Sequence, residues 1–185
     1  MNGDPSEAQN ATRRCSRNRN RASELTGRLE FRIAVISDTH GLLRPEVLPR
    51  VDGAEAILHL GDVGDAKILD TLREYAPVTA IRGNVDTQGR CARLPEPEVV
   101  LFDGSYVYLL HDIGTLHLDP AAAKFAAVLY GHSHKAEIRR HKGVLYFNPG
   151  SCGPRRFNLA VTMGYLHVND DGTVDPEIVD LGIPL

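Results

Sequence analysis

The chain has 185 residues, 42% of them hydrophobic and 24% charged, with a formal net charge of −3. That is the make-up of a globular protein long enough for one domain with its own core. No apolar stretch approaches the length needed to span a bilayer, and the N-terminus lacks the apolar segment of a signal peptide.

Residues 1–27 hold few apolar side chains and much Asn, Ser and Arg, so they read as a flexible N-terminal arm ahead of one domain over 28–185. The domain opens with a β/α alternation: strand 31–36, a short helix around 45–50, strand 56–60, helix 65–75 and strand 78–81. Helix 65–75 has Ile68, Leu69, Leu72 and Tyr75 at helical spacing and Asp65 near its start. Strands 98–102 and 106–111 follow around Asp103-Gly104-Ser105, a hairpin signal. Asp119-Pro120 reads as the N-cap and first turn of a helix over 119–126. Then come strand 127–130, a hairpin of 136–141 with 143–147, and strands near 160–168 and 177–181 around Asp170-Asp171-Gly172. Helices interleaved early and hairpins late predict an α/β protein with mixed sheets, whose ligands bind at the carboxyl ends of strands.

Three cysteines, Cys15, Cys91 and Cys152, are few, odd in number and far apart. They argue against a disulfide framework and for a reducing, cytoplasmic setting. No CxxC pair is present, so any metal should be held by Asp, Asn and His. Beyond residue 30 there are fifteen Lys/Arg against twenty Asp/Glu, which disfavours a large polyanionic partner such as nucleic acid.

Five short polar motifs each close an apolar run: Ser37-Asp38-Thr39-His40-Gly41, Gly61-Asp62, Gly83-Asn84-Val85-Asp86, His111-Asp112 and Gly131-His132-Ser133-His134. Singly each is an ordinary turn. Together their candidate ligands are two carboxylates (Asp38 and Asp62), one amide (Asn84) and four imidazoles (His40, His111, His132 and His134) at strand ends. If the first strand runs on to His40, period-2 geometry puts Asp38 and His40 on one face. Asp62 can use both carboxylate oxygens to bridge two ions, giving four protein ligands per ion. Two divalent ions held this way attract a phosphate and activate water as a nucleophile. The mixed O and N donor set favours Mn, with Fe, Zn, Co or Ni as alternatives, over Mg.

This motif order resembles the calcineurin-like metallophosphoesterase superfamily, over about residues 31–185, and most of all its small prokaryotic phosphodiesterase branch. The retromer scaffold subunit shares that branch's fold. The resemblance implies a four-layer α-β-β-α sandwich of two mixed sheets flanked by helices. It implies one ion on Asp38, His40, Asp62 and His134, and another on Asp62, Asn84, His111 and His132. Asp62, Asn84, Asp86 and His111 are the expected catalytic residues, with Asp86 orienting a ligand or a water. The Asn148-Pro149-Gly150-Ser151 turn also resembles the branch.

Two positions depart from the family pattern. Many members carry a proton-donating His where this chain has Val85. Without that acid, phosphodiesters and activated aryl esters should be favoured over alkyl monoesters. The other departure is Asp112 after His111, which can cap a loop, bind a ligand or repel an anion. His117 is an alternative proton donor, and Arg155 and Arg156 are candidate phosphate contacts. His59, His141 and His167 read as packing or surface residues. The expected partner is a small phosphoester, with homo-oligomerisation open; the competing readings are a catalytically silent scaffold and a nuclease using the Arg-rich arm.

Overall fold

The protein was analysed as a computed structural model that describes residues 30–184, so the arm expected over 1–27 lies outside the described residues. Its strands are β1 (Glu30–Ile36), β2 (Ala56–His59), β3 (Val78–Ala80), β4 (Glu98–Phe102), β5 (Ser105–Leu109), β6 (Ala127–Leu129), β7 (Glu137–His141), β8 (Val144–Asn148), β9 (Thr162–Asn169) and β10 (Val174–Asp180). The α-helices are α1 (Leu48–Val51) and α2 (Lys67–Arg73), joined by 3₁₀ turns at Cys91–Arg93 and Ile113–Thr115. The strands form two five-stranded mixed sheets, ordered β10-β9-β1-β2-β3 and β4-β5-β6-β8-β7. Among the described residues no helix is long and apolar enough to cross a membrane.

Period-2 alternation sorts the side chains into layers. Ile33, Val35, Leu58, Leu166 and Val168 of the first sheet meet Val107, Leu109, Leu129, Leu145 and Phe147 of the second in the inter-sheet core. The opposite face of the first sheet, with Ala34, Ile36, Ile57 and Met163, packs under Val47 and Val51 of the α1 segment and Ile68, Leu69 and Leu72 of α2. The outer face of the second sheet, with Val128, Val144 and Tyr146, is covered by Ile113, Leu116 and Ala121. The sandwich of two mixed sheets is therefore as expected, but a 3₁₀ turn and a loop stand where helices would flank the second sheet.

One expected helix does not form. Asp119 does cap, accepting from the amides of Ala121 and Ala122 at 3.0 and 3.3 Å. The turn stops at Lys124, whose φ is +60°. Directly after it, the Ala126 amide bonds to the Tyr106 carbonyl at 2.8 Å and draws the chain into β6. Eight residues offer too few helical bonds to resist that pairing.

Topology places the site. β1, β2 and β3 run parallel in one sheet, and β5, β6 and β8 run parallel in the other. The five motifs follow β1, β2, β3, β5 and β6, each at its carboxyl end.

Candidate metal centre

The ligand side chains converge from both sheets, but not by strand alternation. β1 ends at Ile36, and Asp38 and His40 both have left-handed backbone, with φ of 56° and 46°. Asp62, His132 and His134 do too, at 54°, 68° and 58°. Side chains larger than glycine enter this region at a cost of roughly 1–2 kcal/mol each, so the surrounding structure must hold them there. Much of the hold is backbone. The amides of Asp38, His40 and Gly41 donate to the carbonyls of Gly61, Asp62 and Val63 at 3.1, 2.8 and 2.8 Å, continuing the β1–β2 pairing past the strands.

Two groups of ligand atoms result, Asp38 with His40 and His134, and Asp38 with Asp62 and His111. His134 Nε2 lies 3.4 Å from Asp38 Oδ1, and His40 Nε2 lies 3.6 Å from Asp62 Oδ2. The Nε2 atoms of His40 and His134 stand 3.1 Å apart, a spacing that needs a proton or a cation between them. His111 Nε2 is 3.4 Å from Asp62 Oδ2. Asn84 Nδ2 lies 3.4 Å from His132 Nδ1, and the His132 ring meets His111 edge-on at 5.2 Å. Asp38, Asp62, His111 and His134 are buried, whereas Asn84 and His132 are exposed. The cluster is thus walled on one side and open to solvent on the other.

Asp62 does not offer both oxygens. Its Oδ1 accepts from the Val85 amide at 2.9 Å, so only Oδ2 faces both His40 and His111. His111 is oriented from behind, with Nδ1 donating to the Leu60 carbonyl at 2.7 Å and Nε2 turned inward.

The electrostatics suit a cation. Burial raises Asp62, but the nearby His111 imidazole and the bond from the Val85 amide outweigh burial and hold it to about 2. Burial disfavours a charged His111, yet Asp62, the Leu60 carbonyl and Asp38 lift its pKa to about 9. Burial pushes the Asp38 carboxyl up and the His134 imidazole down. Asp38 Oδ1 and His111 Nε2 are buried without a hydrogen-bond partner among the described residues. Inward-facing polar atoms of this kind, on Asp and His, fit a divalent ion of the first transition series that displaces the proton from His111.

Asp86 sits beside the cluster rather than in it. Its Oδ2 accepts from the amides of Val63 and Gly83, both at 3.0 Å, and its Oδ1 from Gly64 at 2.9 Å. The carboxylate therefore fastens the Gly61-Asp62 turn to the Gly83–Asp86 turn. Gly83 leaves the room this needs, since a Cβ there would lie 2.2 Å from the Asp62 amide nitrogen.

The Asn148–Ser151 turn also braces rather than ligates. Asn148 Nδ2 donates to the Gly131 carbonyl at 2.8 Å and to Ser133 Oγ at 3.1 Å. Ser151 Oγ donates to the Asp38 carbonyl at 3.0 Å. The sequence flags this turn, but its targets are remote in the chain and become visible only in the fold. Asp112 is a loop cap, accepting from Gly114 N at 2.8 Å. His117 lines a cavity with Glu96, Pro97, Tyr108, Leu110 and Thr115, none of them a ligand residue. Arg155 spends its guanidinium on the carbonyls of Leu159, Ile183 and Pro184. Arg156 is exposed, and its charge acts on His134. His141 is exposed on β7, and His167 pairs with Glu177 at 3.2 Å.

The model of the calcineurin-like phosphoesterase superfamily domain matches residues 31–171. A probable metallophosphoesterase of Methanocaldococcus jannaschii is 33% identical over 132 residues, covering 64% of this chain and 67% of that one. Phosphodiesterase YfcE of Escherichia coli is 30% identical over 146 residues, covering 65% and 79%. Vacuolar Protein Sorting 29 from Cryptosporidium parvum superposes with a TM-score of 0.66 over 82% of this chain and 97% of that one. At 16% identity that likeness speaks for the fold alone.

Proposed function

This chain belongs to the calcineurin-like phosphoesterase superfamily, and from that premise we propose that it is a metal-dependent phosphodiesterase working on small diesters or activated aryl phosphates. The observation that carries the reading is the inward convergence of Asp38, His40, Asp62, His111 and His134, with buried polar atoms on Asp38 and His111 that have no hydrogen-bond partner among the described residues. The donor set has places for two divalent ions, Mn first among them. Asp38, His40, Asp62 and His134 would hold one, and Asp62, Asn84, His111 and His132 the other. When bound, such ions supply Lewis acidity and water of lowered pKa.

The chain's own residues do the rest. Asn84 and His132 form the solvent-facing lip, so a phosphate enters from their side. Arg156 offers that phosphate a mobile positive charge next to His134. Position 85 presents a valine that is 47% exposed and has no proton to give, so the leaving group must depart without help from it. That limits fast turnover to esters whose leaving groups are good.

The scaffold reading has no missing ligand in its favour, because every ligand position holds a competent residue. The deciding experiment is purification without added metal, elemental analysis, and a screen of mono- and diesters with Mn²⁺, Fe²⁺, Zn²⁺, Co²⁺ and Ni²⁺. The expected result is diester hydrolysis that requires added metal and is abolished in Asp62→Ala. Full activity in Asp62→Ala, or no hydrolysis of any ester with any metal, would overturn it.

A further inference from the structure

His59 is buried on β2, three residues before Asp62, and none of its atoms belongs to the ligand cluster. Its neighbours Ile57, Leu58 and Leu60 are apolar and fully buried, so an apolar side chain would suit the position. Instead the imidazole reaches sideways. Its Nε2 lies 2.9 Å from Thr39 Oγ1, and that hydroxyl donates to the Val63 carbonyl at 2.9 Å. A hydroxyl that has given its one proton to a carbonyl can only accept elsewhere, so His59 carries its proton on Nε2 and donates it to Thr39. His59 Nδ1 has no hydrogen-bond partner among the described residues. Burying such an atom unpaired is costly, which makes the histidine a poor choice for packing alone.

Thr39 explains the choice. It stands between Asp38 and His40, the two left-handed residues of the first motif, and is fully buried. Backbone bonds to Gly61, Asp62 and Val63 fix the path of this turn. The Thr39 hydroxyl, contacted by His59 and donating to Val63, adds a side-chain tie midway between the two flanking candidate ligands. Burial also holds the His59 pKa down to about 4, so the donor brings no positive charge towards a cation site.

We propose that His59 is a positioning residue that locks the Asp38–His40 turn through Thr39, so that both side chains present their ligand atoms to a divalent ion. The inference rests on the metal-centre reading above. It makes β2 and the turn after it contribute twice to the site, with Asp62 as a ligand and His59 as the anchor for the turn that follows β1.

The test uses the full chain, stripped of metal and titrated with Mn²⁺ alone, with affinity read by calorimetry and integrity by circular dichroism and thermal melting. His59→Leu removes the donor, Thr39→Val removes the relay, and His59→Gln places an amide N–H near the position of Nε2. His59→Leu and Thr39→Val should each weaken Mn²⁺ binding by about 10–100-fold in a folded protein. His59→Gln should recover most of that loss, which a merely space-filling role would not produce. Unchanged Mn²⁺ affinity in folded His59→Leu, or glutamine no better than leucine, would overturn the proposal. If His59→Leu does not fold, Thr39→Val decides, and wild-type affinity there overturns it. A wild-type chain that takes up no Mn²⁺ would sink the metal-centre reading and this inference with it. Binding by wild type with indifferent variants sinks this inference alone.

Discussion

Val85 touches the site only through its backbone, whose N–H donates to Asp62 Oδ1, while its side chain is 47% exposed. Replacing that side chain need not disturb the carboxylate. Val85→His should therefore keep metal binding and raise turnover of an alkyl phosphomonoester by about 10²–10⁴-fold, the usual worth of a general acid. Steady-state rates on one alkyl and one aryl ester check this; an equal gain on both would contradict it. His59 makes a second prediction at this scale. Its folded-state pKa of about 4 lies below the ordinary 6.5, chiefly through burial. Below pH 6.5 the unfolded chain takes up a proton that the folded chain refuses. The contribution is thus full above pH 6.5 and is lost as pH falls towards 4, reaching about 3 kcal/mol. Asp86, Asp62, His111 and His40 also act on this group, so the measurement is a difference. Urea melts of metal-free wild type and His59→Gln at several pH values should show a steeper acid-side loss for wild type.

Turns and strands carry different kinds of information, and the sequence is legible to different degrees in each. Near-continuous apolar runs such as Phe31–Ile36 and Val144–Phe147 give their strands to within a residue or two, because a strand packed on both faces carries apolar side chains along its length. The ligand residues were equally readable as types at strand ends. Their geometry was not, since Asp38 and His40 leave the strand for left-handed backbone, a state fixed by bonds to Gly61, Asp62 and Val63. Nor does a local pattern show that Asp86 gathers three amides from two turns. That clamp gives Asp86→Ala a large predicted cost. It strands three N–H groups and should destabilise the fold by about 3 kcal/mol or more, read as a lowered urea midpoint. Asp86→Asn keeps one acceptor and should fall between. A loss of activity in Asp86→Ala without loss of stability would instead assign the carboxylate to the chemistry.

Taken whole, the molecule draws its ligands from two sheets that touch mainly through side chains. Asp38, Asp62 and Asn84 follow strands of the first sheet, and His111, His132 and His134 follow strands of the second. The α/β class and mixed sheets were legible from the order of strand-like and helix-like runs. The pairing of β5 with β6 and of β6 with β8 was not, because parallel register is set by contacts between segments far apart in sequence. The sheets pack tightly at Gly164 on β9, where an added Cβ would lie 2.3 Å from Phe147 Cζ on β8. Gly164 pairs with Val35 and Phe147 with Leu129, at the same carboxyl strand ends as the candidate site, so ion binding there would be sensitive to a slip between the sheets too small to unfold the chain. Gly164→Ala should weaken Mn²⁺ binding in a protein that still melts cooperatively, though the substituted atom belongs to no motif. Metal content in a purified sample would accordingly report how well its two halves are seated, and a poorly loaded preparation would point first to misregistered packing.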